Sequence, residues 1–263
     1  MKIDNCRLCN SPLPVPKDLK ILDSNLSLYT CGYCGLIQAP ESRKDYSSGD
    51  LVTYYEDRRD WISNRHQYIF ERIEKLLGSK NNASFLDIGC GIGFSLFEAK
   101  KRGWNAFGIE PNKDLVKYAR EKLFVEVAND YFPSSQIPYK SVDFILIDYV
   151  LENLSSPAEI IKNATALLGP DGVLLIAVPP VDWARMGLSM LNCIREKVSS
   201  ATVNMYNDTF EHINFFPKSS IAYLAEKNQL ELLNINFHHH KNFEMIQAFL
   251  GLNSGYFFLK KNL

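Results

Sequence analysis

Long hydrophobic runs are missing. No apolar stretch in the 263 residues approaches the roughly 20 needed to span a bilayer, and no apolar signal segment opens the chain, so a cytoplasmic protein is expected. A surplus of charge of one sign is missing too: 29 Lys and Arg face 30 Asp and Glu, a net charge of −1, and no global basic field recruits nucleic acid. Internal repeats and low-complexity tracts are absent as well, which argues against stacked-repeat and disordered classes. What is present is an ordinary globular composition, 46% hydrophobic and 22% charged, on a length that accommodates one large α/β domain with a small appendage.

Cysteine is sparse but patterned. Four of the six fall in two matched pairs, Cys6-Arg7-Leu8-Cys9 and Cys31-Gly32-Tyr33-Cys34, while Cys90 and Cys193 stand alone. Thiolates two residues apart, doubled in this way, can hold one tetrahedral zinc from two knuckles, and Asn10 and Gly35 sit where the backbone needs relief after each pair. Without a secretion signal, a structural Zn2+ on Cys6, Cys9, Cys31 and Cys34 is favoured over a disulfide framework or a redox pair. Residues 1–45 are therefore expected to be a zinc ribbon that needs the metal to fold, with a short strand over 26–29. Its charges balance, which is poor composition for nucleic-acid binding.

The chain is organised around Phe85-Leu86-Asp87-Ile88-Gly89-Cys90-Gly91-Ile92-Gly93-Phe94, an apolar strand running into a loop with glycine at every second position and then into a helical pattern. Such a strand, turn and helix open a nucleotide-binding α/β fold, in which glycines let the backbone approach a ligand that side chains would exclude. The dinucleotide fingerprint would need glycine where Phe94 stands. Glu110 closes the next apolar run, at about the distance where these folds set a carboxylate on ribose hydroxyls.

Around this unit the pattern alternates as a parallel, doubly wound sheet should. A lead-in helix over 46–80 carries Tyr54 and Tyr55 and ends near Gly78, and His66 on it is assigned to surface or core. Strands are expected at 106–109, 124–128, 142–148 and 173–178, the last entered through a Gly169-Pro170-Asp171-Gly172 turn. A helix at 219–227 and strands at 230–237 and 256–259 close the domain, which spans 81–263. A partly helical lid is expected over 181–215. His238-His239-His240 points to alternate faces of an extended segment and is not expected to hold a metal.

The glycine loop, Gly108-Ile109-Glu110-Pro111-Asn112, the block from Val142 to Pro157, the run from Leu167 to Pro180, Glu211 to Ser220 and the two knuckles together resemble the class I S-adenosylmethionine (SAM) dependent methyltransferases that carry an N-terminal zinc ribbon, of the UbiG-like and sugar methyltransferase type. The resemblance covers nearly the whole chain. It implies a doubly wound, Rossmann-like α/β sheet with a small zinc ribbon, SAM as cofactor, and a SAM site drawn from Tyr54, Asp87, Gly89, Cys90, Gly91, Gly93, Glu110, Asp130, Asp148 and Tyr149. Cys90 would be a small loop filler there rather than a nucleophile. Members of the resembling group usually carry histidine after the glutamate of the fourth-strand block, where this chain has Asn153, and His212 becomes the expected base. The expected partner is a small-molecule acceptor, a saccharide hydroxyl foremost, and not nucleic acid. An RNA base methyltransferase and a non-catalytic SAM-binding scaffold are the competing readings.

Overall fold

Short apolar runs separated by amphipathic stretches fold into strands and helices in the expected alternation. The computed structural model describes residues 3–21, 24–40, 51–78, 80–179, 212–233 and 255–261. Most of the expected lid, together with Cys193 and His238 to His240, lies outside them. In chain order the elements are β1 (Lys17–Ile21), β2 (Ser24–Thr30), β3 (Ile37–Gln38), α1 (Leu51–Glu56), α2 (Arg59–Leu77), β4 (Ser84–Ile88), α3 (Phe94–Lys101), β5 (Asn105–Ile109), α4 (Lys113–Lys122) and β6 (Glu126–Ala128). Then follow β7 (Val142–Asp148), a 3₁₀ turn (Leu151–Asn153), α5 (Pro157–Leu167), β8 (Leu168–Ala177), β9 (Asn214–Phe215), α6 (Lys218–Lys227), β10 (Leu230–Leu233) and β11 (Tyr256–Lys261). No helix among the described residues is long and apolar enough to cross a membrane.

The described strands form a seven-stranded sheet of order β10-β11-β8-β7-β4-β5-β6 and a four-stranded sheet of order β1-β2-β3-β9. The chain divides into two compact units, one of Met1–Asp45, Tyr149–Ile161 and Ile176–Phe258, the other of Tyr46–Asp148, Lys162–Leu175 and Leu259–Leu263. The cysteine-bearing segment, expected as a ribbon of its own, thus shares a unit with residues from the second half of the chain.

In the second unit β4 runs parallel to β5 on one side and β7 on the other, and β5 runs parallel to β6. Chain order reverses between β4 and β7, so the carboxyl ends of these strands open the crevice where α/β sheets take ligands. Asp143 sets the register of the β4 and β7 pair by accepting from the Ser84 N–H and hydroxyl, both at 2.9 Å. An aromatic cluster anchors α2 to the sheet: Phe85 stacks on Phe144 at 5.2 Å, and Phe70 meets Phe85 at 5.3 Å and Trp104 at 5.1 Å. Phe70, Phe85 and Phe144 are fully buried, and rings packed in this way add to the burial of their area.

Three boundaries differ from the expected ones. The lead-in is two helices, because Asp57 and Arg58 form a turn between α1 and α2. β6 starts at Glu126 rather than Phe124, whose φ of 54° is incompatible with a strand and whose ring is exposed. β8 runs continuously from Leu168 through the Gly-Pro-Asp-Gly segment, with Asp171 at φ 62° and Pro170 and Asp171 facing solvent.

Candidate functional site

The carboxyl ends of β4, β5 and β7 gather the charged residues of the second unit. After β4 the chain turns through Gly91 at φ 54° and Gly93 at φ 86°, left-handed conformations that a side chain would strain. A Cβ on Gly91 would stand 3.0 Å from the ring of Tyr55, so this glycine also admits the aromatic ring that covers the loop. Gly89 donates to the Ile109 carbonyl at 2.8 Å, tying the loop to the end of β5. Glu110 completes the tie: one carboxylate oxygen accepts from Gly91 N–H at 3.0 Å and the other from Asn112 N–H at 2.8 Å. Burial pushes the Glu110 carboxyl up, against the pull of those two N–H groups. Asn112 in turn caps α4, accepting from the N–H groups of Asp114 and Leu115.

Beneath the loop, Asp87 is buried and accepts from the Ser95 hydroxyl. Burial pushes its carboxyl up to about 8, with the nearby charges of Asp148 and Glu110 adding to the rise and Ser95 opposing it. Its Oδ1 has no hydrogen-bond partner among the described residues, and neither has Oδ1 of Asp148. Asp148 ends β7 and uses its other oxygen to hold two side chains of α2: the Arg65 guanidinium, and His66 Nε2 at 3.0 Å. Burial works to raise Asp148, but Arg65 and His66 outweigh it and keep the carboxyl below its ordinary value. Burial drives His66 the other way, below the usual imidazole value.

The expected SAM-site residues are placed unevenly. Asp87, Gly89, Cys90, Gly91, Gly93, Glu110 and Asp148 all lie at this strand-end cluster. Cys90 is buried against Gly108, and burial beside Asp87 and Glu110 raises its thiol, which suits a loop filler. Tyr54 is 43% exposed and packs edge-on against Tyr55 at 5.6 Å, so Tyr55 is the tyrosine that meets the loop. Asp130, past β6, holds its own turn by accepting from Ser134, Tyr131 N–H and Gln136. Tyr149 is 42% exposed at φ 56° and belongs to the first unit. Of the tyrosine pair, the expected site included Tyr54 and not Tyr55, and sequence reasoning missed Arg65 and the bond from His66. A signal existed: the spacing Ile62, His66, Ile69, Ile73 puts His66 on the buried stripe of α2.

In the first unit the four paired cysteines converge, their sulfurs all within 4.8 Å of one another. Cys6 and Cys34 approach to 3.6 Å and Cys9 and Cys31 to 3.4 Å, too far for disulfides. Both spacings are close to the edge of a sulfur tetrahedron around a metal at about 2.3 Å. The two knuckles match: Cys6 N–H bonds Ser11 O and Cys31 N–H bonds Leu36 O, both at 2.9 Å, with Asn10 and Gly35 at positive φ. Four soft donors in this arrangement could hold one zinc ion. His212 is half-buried, and Ile213 N–H donates to Glu152 O at 2.9 Å, which sets His212 beside the 3₁₀ turn that carries Asn153.

Comparison with known proteins gives the family and the fold. Residues 61–235 match the family described as "Methyltransferase domain". An uncharacterized methyltransferase of Alkaliphilus oremlandii is 25% identical over 162 residues, covering 57% of this chain and 74% of that protein. The ubiquinone biosynthesis O-methyltransferase of Rhodopseudomonas palustris (strain TIE-1) is 27% identical over 128 residues, covering 46% of this chain, which thus spans about half the length of that relative. Among solved structures, the plantazolicin methyltransferase BpumL in complex with SAH superposes with a TM-score of 0.58 at 17% identity, over 83% of this chain and 92% of that one. A SAM dependent methyltransferase from Archaeoglobus fulgidus gives 0.52 at 15% identity, over 82% and 100%.

Proposed function

Because the chain belongs to this methyltransferase domain family, we propose that it transfers a methyl group from SAM to a small-molecule acceptor, an oxygen of a sugar or related biosynthetic intermediate. The observation that carries the reading is the join between the two strand ends: the glycine loop that follows β4 is held by the carboxylate that closes β5. The residues fit an adenosyl sulfonium. Each Glu110 oxygen keeps a further lone pair for a ribose hydroxyl. The orphaned oxygens of Asp148, which stays ionised, and of Asp87, which gives up its proton when a cation binds, suit the ammonium and sulfonium charges, and the Tyr55 ring can line the same loop. Bound there, SAM supplies a methyl group activated by positive sulfur.

The protein's part is positioning and proton removal. Asp87, held by Ser95, and Asp148, held by Arg65 and His66, present fixed acceptors rather than mobile ones. His212 takes the proton from the acceptor hydroxyl, since an imidazole nitrogen offers a lone pair for it and the Asn153 amide has no base to offer. Cys6, Cys9, Cys31 and Cys34 would hold a zinc ion in a structural role, since four thiolates would leave it no position for substrate. The O-methyltransferase among the relatives supports an oxygen acceptor, and the SAH-bound neighbour supports SAM as the donor.

The test is transfer of labelled methyl from SAM to a panel of hydroxylated small molecules, sugars and nucleotide sugars among them. Product from one acceptor, lost in His212→Gln with SAM affinity retained, is expected. Absence of SAM binding by calorimetry would sink the proposal.

A further inference from the structure

Arg7 lies inside the first cysteine knuckle, yet its side chain reaches the segment that carries His212, 205 positions further along the chain. Its guanidinium donates to Ile213 O at 3.0 Å, to Ala39 O and Pro40 O at 2.8 Å each, and to Asn214 Oδ1 at 3.5 Å. Its own N–H donates to Oε1 of the fully buried Gln38 at 2.8 Å. The same segment is gripped from other directions. Ala39 N–H bonds Ile213 O at 3.0 Å, and β3 pairs antiparallel with β9, matching Ile37 to Phe215 and Gln38 to Asn214. Buried Asn214 then donates to Leu151 O at 3.0 Å and Leu154 O at 2.7 Å, across the 3₁₀ turn. Both backbone groups of Ile213, next to His212, are therefore fixed: N–H by Glu152 O, C=O by Ala39 N–H and Arg7.

We infer that Arg7 is a positioning residue, through which the four-cysteine knuckles hold the backbone beside His212 and so aim its imidazole. The inference rests on the reading of His212 as base. A side chain that only supported the ribbon would bond within residues 1–45. Arg7 instead directs one nitrogen at the carbonyl following His212, and guanidinium, with five donors in a rigid fork, can serve four acceptors at once where ammonium cannot. A metal held by Cys6 and Cys9 would fix the backbone on both sides of Arg7, and with it the origin from which this side chain reaches out.

The experiment uses the full chain, with amide hydrogen exchange at Ile213 and Asn214 and the titration of the His212 imidazole by NMR, its signal identified by its loss in His212→Gln. Metal content and SAM affinity are measured on the same samples. In Arg7→Ala, exchange at Ile213 should rise about tenfold, the scale of one charge-assisted hydrogen bond, and the His212 titration midpoint should move. Arg7→Lys should recover part of both, while SAM affinity stays unchanged. Chelator-treated wild type should behave like Arg7→Ala and serves in its place if that variant does not fold. Unchanged exchange overturns the inference, and so does faster exchange with a His212 titration curve that superimposes on wild type. These readouts involve no turnover, so the base assignment fails separately, through methyl transfer by His212→Gln.

Discussion

Asp87 carries its proton into neutral pH because it is buried beside two other carboxylates, and this fixes the sign of a pH effect. Between its unfolded value near 4 and its folded value of about 8, the folded state holds a proton that the unfolded state has released. Stability of the ligand-free protein should therefore fall as pH rises through that window, by up to about 1.4 kcal/mol per unit from this group, and level off above it. Asp87→Asn should flatten the slope in urea melts taken from pH 5 to 8. Glu110→Ala should weaken SAM binding by about 1–3 kcal/mol through lost ribose hydrogen bonds, read by calorimetry. Gly91→Ala should lower thermal stability by about 1–2 kcal/mol from the left-handed backbone, with the further contact against Tyr55 displacing that ring. Glycine spacing and a strand-end acid are legible because the backbone dictates them. The burial of His66 could be read from its helical spacing, but the pairing of Arg65 and His66 with Asp148 could not, since it depends on how α2 is rotated against β7.

Elements were legible to the extent that burial repeats. β4, β5 and β7 read as strands because their residues are apolar enough for a sheet covered on both faces, and α2 as a helix from Ile62, Ile69 and Ile73 on one stripe. The misjudged edges lie where single residues adopt unusual backbone: Phe124 at φ 54° delays β6, and Asp171 at φ 62° lets β8 pass through an apparent turn. β1 left no trace in the reading, because a strand pinned chiefly by its partner β2 need show no pattern of its own. At this scale Phe144→Ala should cost about 3–5 kcal/mol, because it opens a void among Phe70, Phe85 and Trp104. The shift in denaturation midpoint, with an unchanged slope, measures it.

At the scale of the molecule, the knuckles could be read from their spacing, but their companions could not. No local signal links Arg7 to Ile213 or the Ser220 hydroxyl to the Cys34 carbonyl, at 3.2 Å. Elemental analysis should find one zinc per chain, and chelation should raise proteolysis within residues 1–45 and beside 212–220 while SAM affinity in the second unit is retained. Through Gly91 N–H, Glu110 holds the β4 loop in the ligand-free protein. A loop already folded by its own carboxylate leaves little ordering entropy to be lost when a ligand arrives, so association should be single-phase and fast, with a heat-capacity change no larger than the buried apolar area demands.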